Sequence, residues 1–194
     1  QAASKVGSLQ VRNRGTLGGN ICHASPSGDT LPALLCLEAE LRIAGKDGER
    51  AVPLEGFFLG PGKCALAEGE ILSEIILPPP PAGSRGLYQK LALRQAMDLA
   101  VVGVAVFGAV DPAKGVFQEI RIGLGAVAPT PLRARRAEAF LKGARAEEET
   151  IRQAGRFTRE ESAPISDVRG SESYRREMVG FLTEKALREI AARA

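Results

Sequence analysis

The sequence predicts an α+β protein built as two units. The first is a partial antiparallel-sheet unit, and the second is a three-stranded antiparallel sheet with a three-helix bundle. Three observations carry this. Pro78 to Pro81, followed by Ala82-Gly83-Ser84, removes backbone donors and fixes φ, so neither sheet nor helix continues through it. The chain therefore divides into residues 1–79 and 84–194. Within the second unit, three runs suited to strands are followed by three suited to helices. In the first, Gly45-Lys46-Asp47-Gly48 between two short alternating runs signals a hairpin.

Taken in order, Gln1 to Val6 reads as the tail of a helix, and Leu9 to Asn13 as short and extended. Arg14 to Asp29 holds Gly15, Gly18, Gly19, Pro26 and Gly28 and reads as mostly irregular backbone. Leu31 to Leu37 is an apolar turn of helix, Glu40 to Ala44 and Glu49 to Pro53 are the hairpin strands, and Glu70 to Leu77 is a further strand. The second unit opens with strands at Gly86 to Arg94, Leu99 to Val110 and Val116 to Ala126; Asp111 to Gly115 turns between the last two. The middle strand is rich in Val, Ala and Gly, as expected where helices cover it closely. Thr130 is placed as the cap of a helix with Pro131 at its first position and Gly143 at its end. Glu147 to Gly155 is a second helix. Ser171 to Ala192 is a third, with Tyr174, Met178, Phe181, Leu182, Ala186 and Ile190 at helical spacing.

Composition excludes several functions. With 194 residues and 44% hydrophobic content the chain can bury one core or two small ones. The formal charge is only +3, and the basic residues are dispersed except around Arg133, Arg135 and Arg136 and near the C-terminus. A nucleic-acid binder shows a basic stripe and stacking aromatics, whereas aromatics are 5% here and Trp is missing. No apolar run approaches the ~20 residues of a membrane span. Gln1 to Lys5 shows no signal-peptide pattern. Cys22, Cys36 and Cys64 are far apart and fewer than the about four thiolates of an iron–sulfur cluster. The single histidine, His23, reads as a surface or lining residue; no further residue supports a metal site or a nucleophile built on it.

The chemistry-bearing stretch is Arg12-Asn13-Arg14-Gly15-Thr16-Leu17-Gly18-Gly19-Asn20, followed by Ala24-Ser25-Pro26-Ser27-Gly28-Asp29. Paired glycines let backbone amides approach an anion such as a pyrophosphate. Thr16 and Asn20 add polar contacts, and Asp29 can accept from a sugar hydroxyl. By itself this pattern also suits a plain glycine-rich turn. No G-x-x-x-x-G-K-[ST] run is present. Gly123-Leu124-Gly125-Ala126-Val127-Ala128 fits the dinucleotide fingerprint, but Pro129 and Pro131 follow at once, where that fingerprint needs a helix.

From Val11 to Asn20 the sequence strongly resembles the FAD-binding (medium) subunits of molybdenum hydroxylases, of the aerobic carbon monoxide dehydrogenase and xanthine dehydrogenase type. Ala24-Ser25-Pro26 with Asp29, Phe57 to Gly60, Gly69 to Leu72 and Leu77-Pro78 continue the likeness. So do Gln89-Lys90 through Arg94 to Ala100, Gly125 to Pro131 and Ser166 to Ser171 with Tyr174-Arg175. The resemblance implies that 1–79 is the later part of an FAD-binding domain and 84–194 the flavoprotein C-terminal domain. It implies that Thr16, Leu17, Gly18, Gly19 and Asn20 contact the FAD diphosphate and adjoining groups, and that Asp29 binds a ribityl or ribose hydroxyl. Leu72 would lie by the isoalloxazine, through its backbone, and Lys90 by the flavin's polar edge; unaided, Leu72 reads equally as core and Lys90 as a solvated strand lysine. Arg12 and Arg14 are expected to hold the loop through local hydrogen bonds.

The resemblance also implies a cytoplasmic electron-transfer subunit. It would take electrons from [2Fe-2S] clusters in a small subunit, fed by a molybdenum cofactor in a large subunit. The family's earlier glycine-rich loop, on an N-terminal FAD-binding segment, is not among these residues, so weak or absent FAD binding by the chain alone is expected. The alternative is a module that mainly contacts other subunits.

Overall fold

A computed structural model describes residues 1–192. The chain opens with a 3-10 turn at Ala3–Lys5 and two short helices, α1 (Leu9–Arg14) and α2 (Leu17–Cys22). Both replace expected extended or irregular backbone. The reason lies in their caps: the Ser8 hydroxyl accepts the Val11 N–H, and the Thr16 hydroxyl accepts the Gly19 N–H. Each bond satisfies an orphan first-turn donor, which offsets the poor helix propensity of Gly18 and Gly19. After an irregular stretch comes α3 (Leu31–Cys36), as expected, with Pro32 in its first turn.

The hairpin forms as read. β1 (Glu40–Gly45) and β2 (Gly48–Pro53) are antiparallel, with Gly45 opposite Gly48 across Lys46-Asp47. Two small strands, β3 (Phe58–Gly60) and β4 (Lys63–Cys64), pair with one another. β5 (Ile71–Ile76) joins the free edge of β1, giving the order β2-β1-β5. One face of this sheet packs with α2 and α3 around Ile21, Leu31, Leu41, Ile43, Leu54 and Phe57, all buried.

The second unit is a sheet in the order β6-β7-β8-β9, formed by β6 (Arg85–Leu91), β7 (Val102–Asp111), β8 (Val116–Gly125) and β9 (Leu132–Arg133). β9 is an addition to the expected three strands. Thr130-Pro131 does not start a helix; Leu132 and Arg133 pair with Leu124 and Gly123 instead. That pairing carries the Arg133 guanidinium onto the buried Glu138 carboxylate, with Nε to Oε1 at 2.5 Å and Nη2 to Oε2 at 2.8 Å. Glu138 Oε1 also accepts the Ile122 N–H. α4 (Arg135–Leu141) therefore begins later than predicted.

α5 (Glu148–Glu161) and α6 (Glu172–Ala191) complete the bundle. α5 runs on past Gly155, where the Glu184 side chain fills the space a Cβ would take. Ser171 caps α6 by accepting the Tyr174 N–H. Arg175 sets the rotation of α6: its Nη1 donates to the carbonyls of Val101 and Ala126, and its Nη2 to Asp167. The face so buried holds Val179, Leu182, Ala186, Leu187 and Ile190. Tyr174 and Phe181, expected on it, are 46% and 51% exposed.

The two units meet where α3 lies against β7 and β8. The Cys36 thiol donates to Ala105 O at 3.4 Å, and burial pushes that thiol up to about 12. Arg121 Nη1 donates to Cys36 O and Arg133 Nη1 to Leu35 O, each at 3.2 Å. Both guanidinium groups thus cap carbonyls at the C-terminal end of α3, where cations are favoured. A Cβ on Gly123 would lie 2.2 Å from Pro32 O, and one on Gly125 2.8 Å from Pro32 Cγ. The glycines that mimic a dinucleotide fingerprint are the seat of α3. β8 runs straight through them, and no helix begins there. Among the described residues no helix is long and apolar enough to cross a membrane.

Two outcomes follow from this packing. Gly123→Ala must push Pro32 away, and overpacking of this kind costs about 1–3 kcal/mol. Gly56→Ala, with open space around the added methyl, serves as the neutral control in thermal melts. Separately, hydrogen bonding to Arg188 holds the Glu148 carboxyl down at about 2. A carboxyl depressed in the folded state stabilises above its ordinary value, and the benefit is lost as pH falls. The Tm gap between the native chain and Glu148→Gln should therefore close as pH falls from about 4.5 to about 2.

Candidate functional site

The site begins at the start of α2. Thr16 Oγ1 accepts the Gly19 N–H at 2.9 Å, and Thr16 O accepts the Asn20 N–H at 3.1 Å. The amides of Leu17 and Gly18 lie in the first turn, where helix geometry supplies no carbonyl four residues back. Gly19 leaves space for the cap, since a Cβ there would stand 3.0 Å from Thr16 Oγ1. Beside Gly18 lies the half-buried Leu72 of β5, whose Cδ2 is 3.7 Å from where a Gly18 Cβ would be. Asn20 turns its Oδ1 to the Thr30 hydroxyl at 2.6 Å.

Above this turn opens a cleft of ≈ 690 Å³, lined by Arg12, Arg14, Thr16, Leu17, Gly19 and Asn20 among others, with no carboxylate in its wall. Arg12 Nη1 donates to Val6 O at 2.8 Å, bracing the turn locally as expected. Arg14 makes no such bond among the described residues and stays exposed at the cleft. His23 borders this cleft and a neighbouring one of ≈ 330 Å³.

Asn20 and Asp29 both line the second cleft. The Asp29 carboxylate is gripped from the second unit: Tyr88 Oη donates to Oδ1 at 2.8 Å, and Lys90 Nζ donates to Oδ2 at 2.8 Å. The two charged side chains are only 6% and 8% exposed. Lys90 is not the solvated lysine of an exposed strand. Its other two protons go to Lys5 O at 3.0 Å and Asp98 O at 2.8 Å, so all three ammonium donors are engaged. Burial is the largest influence on Asp29 and pushes its carboxyl above the ordinary value, against the hydrogen bonds from Lys90 and Tyr88. Tyr88 is pushed up too, by burial first and then by the neighbouring carboxylate.

The structure thus brings Thr16, Leu17, Gly18, Gly19, Asn20 and Leu72 together at one turn. Asp29 joins them through Thr30, and Lys90 reaches the group only through Asp29. Sequence reading missed Thr30 and Tyr88. Tyr88 was open to detection, since it lies two residues before Lys90 and so on the same face of β6.

Fold and site define a two-unit α+β protein with a carboxylate-free glycine turn suited to an anionic ligand. Residues 1–80 match the family model for the FAD binding domain in molybdopterin dehydrogenase, and residues 87–190 that for the CO dehydrogenase flavoprotein C-terminal domain. The chain belongs to this family of FAD-binding dehydrogenase subunits. It is 36% identical over 194 residues to the xanthine dehydrogenase FAD-binding subunit of Escherichia coli O157:H7, covering 100% of this chain and 66% of that one. It is 35% identical over 193 residues to the carbon monoxide dehydrogenase medium chain of Hydrogenophaga pseudoflava, again 100% and 66%. A solved carbon monoxide dehydrogenase from Hydrogenophaga pseudoflava superimposes with TM-score 0.94 at 38% identity, covering 100% of this chain and 66% of that one. Quinoline 2-oxidoreductase from Pseudomonas putida 86 gives 0.89 at 31% identity, covering 97% and 64%. The chain thus spans just under two thirds of the length of these relatives.

The buried pair makes a direct test. Lys90→Met should cost about 3–5 kcal/mol in denaturant unfolding, because it strands the Asp29 charge. Adding Asp29→Asn to Lys90→Met should recover part of that loss. A Lys90→Met protein as stable as the native chain would show that the pair carries no such weight.

Proposed function

We propose that this chain holds FAD with its diphosphate on the Thr16 to Asn20 turn and serves as the flavin subunit of a molybdenum hydroxylase. The observation that carries this is the α2 turn. The Leu17 and Gly18 amides are free of intrahelical partners, and Arg12, Arg14 and Leu17 line one cleft that holds no carboxylate among the described residues. An anionic diphosphate fits that donor set, whereas a cation finds no carboxylate among the described residues of the wall. Asp29 offers its remaining lone pairs to a ribityl or ribose hydroxyl. Leu72, beside Gly18, supports the isoalloxazine through its backbone. Lys90 approaches the flavin's polar edge by exchanging one of its carbonyl partners for it.

The bound flavin supplies the redox chemistry; the residues of this chain bind it, orient it and fix the charges around it. On this reading, electrons arrive from iron–sulfur clusters of a small partner subunit. Those clusters are fed by a large subunit with the molybdenum cofactor, and the electrons leave to an external acceptor. We assign the turn and its cleft to unit 1–79 and the cover over Asp29 to unit 84–194, and place the complex in the cytoplasm.

The test is titration of flavin fluorescence with the chain alone and with its partner subunits. Saturable quenching by FAD, and at least about tenfold weaker binding of riboflavin, is expected if the diphosphate is gripped, since tenfold corresponds to only about 1.4 kcal/mol. Gly18→Asp, which sets a carboxylate over the turn, should weaken FAD by a similar factor or more. No saturable FAD signal from either the chain or its complex would sink the proposal.

A further inference from the structure

We propose that Tyr88 is a positioning residue of the flavin site, whose hydroxyl reaches across from the second unit to fix the orientation of the Asp29 carboxylate. The inference rests on the flavin reading above and adds a residue to it.

Three observations support it. Tyr88 Oη donates to Asp29 Oδ1 at 2.8 Å while Lys90 Nζ takes Oδ2 at 2.8 Å, so the two carboxylate oxygens are pinned from one strand by two different donors. A carboxylate held at both oxygens cannot rotate about its χ2, yet each oxygen keeps a lone pair for a ligand hydroxyl. Next, the adjacent strand makes room for the tyrosine hydroxyl: a Cβ on Gly103 would stand 2.9 Å from Tyr88 Oη. Gly103 lies opposite Lys90 in the β6–β7 register, beside the same site. Finally, Asp29 still lines the ≈ 330 Å³ cleft with Asn20, so the pinned group faces ligand space. A packing tyrosine would need no hydroxyl. A tie between units would already be met by Lys90.

The consequence is a measurable dependence on pH. The charged or titratable groups around Asp29 are Tyr88 and Lys90 on β6, with Asp98 and His23 bordering the same cleft; Lys5 contributes only its carbonyl. Burial favours the neutral form of Asp29 and the two donors favour the charged form. Removing the Tyr88 hydroxyl shifts that balance toward the neutral acid, a poorer acceptor for a ligand hydroxyl.

The experiment measures FAD dissociation constants across pH for the full chain in a His23→Gln background, so that the imidazole adds no slope of its own. In that background Tyr88→Phe should weaken FAD roughly tenfold at neutral pH, the order expected for one hydrogen bond to a charged group. The loss should grow as pH falls. It should vanish in an Asp29→Asn background, because Tyr88 acts through Asp29. Two outcomes overturn the proposal: unchanged affinity, or a loss that is flat with pH and persists in Asp29→Asn. Should Tyr88→Phe fail to fold, replacing the two tyrosines with 3-fluorotyrosine keeps the packing and makes the hydroxyl a stronger donor. FAD binding should then hold to lower pH than in the unlabelled chain, and an unmoved profile overturns the proposal. If the unsubstituted chain binds no FAD either alone or in complex with its partner subunits, the flavin reading itself fails; if it binds in either form and these variants match it there, only the role of Tyr88 does.

Discussion

The seating of one six-residue helix on a foreign sheet is the constraint from which the rest of the architecture follows. α3 belongs to the first unit, yet it lies on β7 and β8 of the second. Its carbonyl end is capped by Arg121 and Arg133, and its backbone at Pro32 sinks against Gly123. At its other end, Asp29 and Thr30 are held by Tyr88, Lys90 and Asn20. Because both ends are fixed, the Thr16 to Asn20 turn and the second unit share one frame of reference. An isolated six-residue helix is not stable in water, so the position of α3 comes from these contacts rather than from its own propensity.

Charge is used at this junction where hydrophobic packing alone would leave the register open. Arg133 and Glu138 have side chains only 4% and 9% exposed. Burying an ion pair carries a large desolvation cost, and the attraction repays it only when the remaining donors and acceptors are also bonded. Here that condition is met. Glu138 accepts from Arg133 and from the Ile122 amide, while Arg133 also donates to Leu35 O. The Asp29–Lys90 pair satisfies the same condition by a different route, with backbone carbonyls of Lys5 and Asp98 taking the remaining lysine protons. The first network joins residues 5 to 98 positions apart in sequence, and the second joins residues 8 to 85 apart. Their contribution is to specify one docking geometry of the two units over its neighbours.

Legibility in the sequence tracked how local each cause was. The β1–β2 hairpin was readable because its turn lies between two alternating runs, and α3 because its apolar residues are contiguous. The helices α1 and α2 were missed because their stability rests on single caps at Ser8 and Thr16, which glycine content masked. The late start of α4 was missed because Thr130-Pro131 satisfies every local rule for a helix start. The pairing of β9 and the pull of Glu138 on Arg133 override those rules from a distance. The rotation of α6 followed the same logic. Tyr174 and Phe181 match the helical period, but Arg175, bonded to Val101 and Ala126, decides which face turns inward. At the site, the glycine turn was legible as a pattern. Tyr88 was not weighed, because its importance lies in a carboxylate 59 residues away.

This separation bears on how the candidate site keeps its charge. The turn at Thr16 contributes neutral amides, which tolerate changes in pH and demand only geometry. Asp29 is a buried carboxyl group lining this part of the site, and its state depends on two donors from another unit. A site assembled from one unit would need its own compensating cation within a few residues, and a cation that close would compete with the ligand for the carboxylate. Lys90 and Tyr88, both on β6, supply that compensation from the second unit, while Asp29 lines the cleft together with Asn20. Docking of the units and readiness of the carboxylate are therefore one event. Any change that loosens α3 from its seat at Gly123 and Arg133 also loosens the donors that favour the charged form of Asp29.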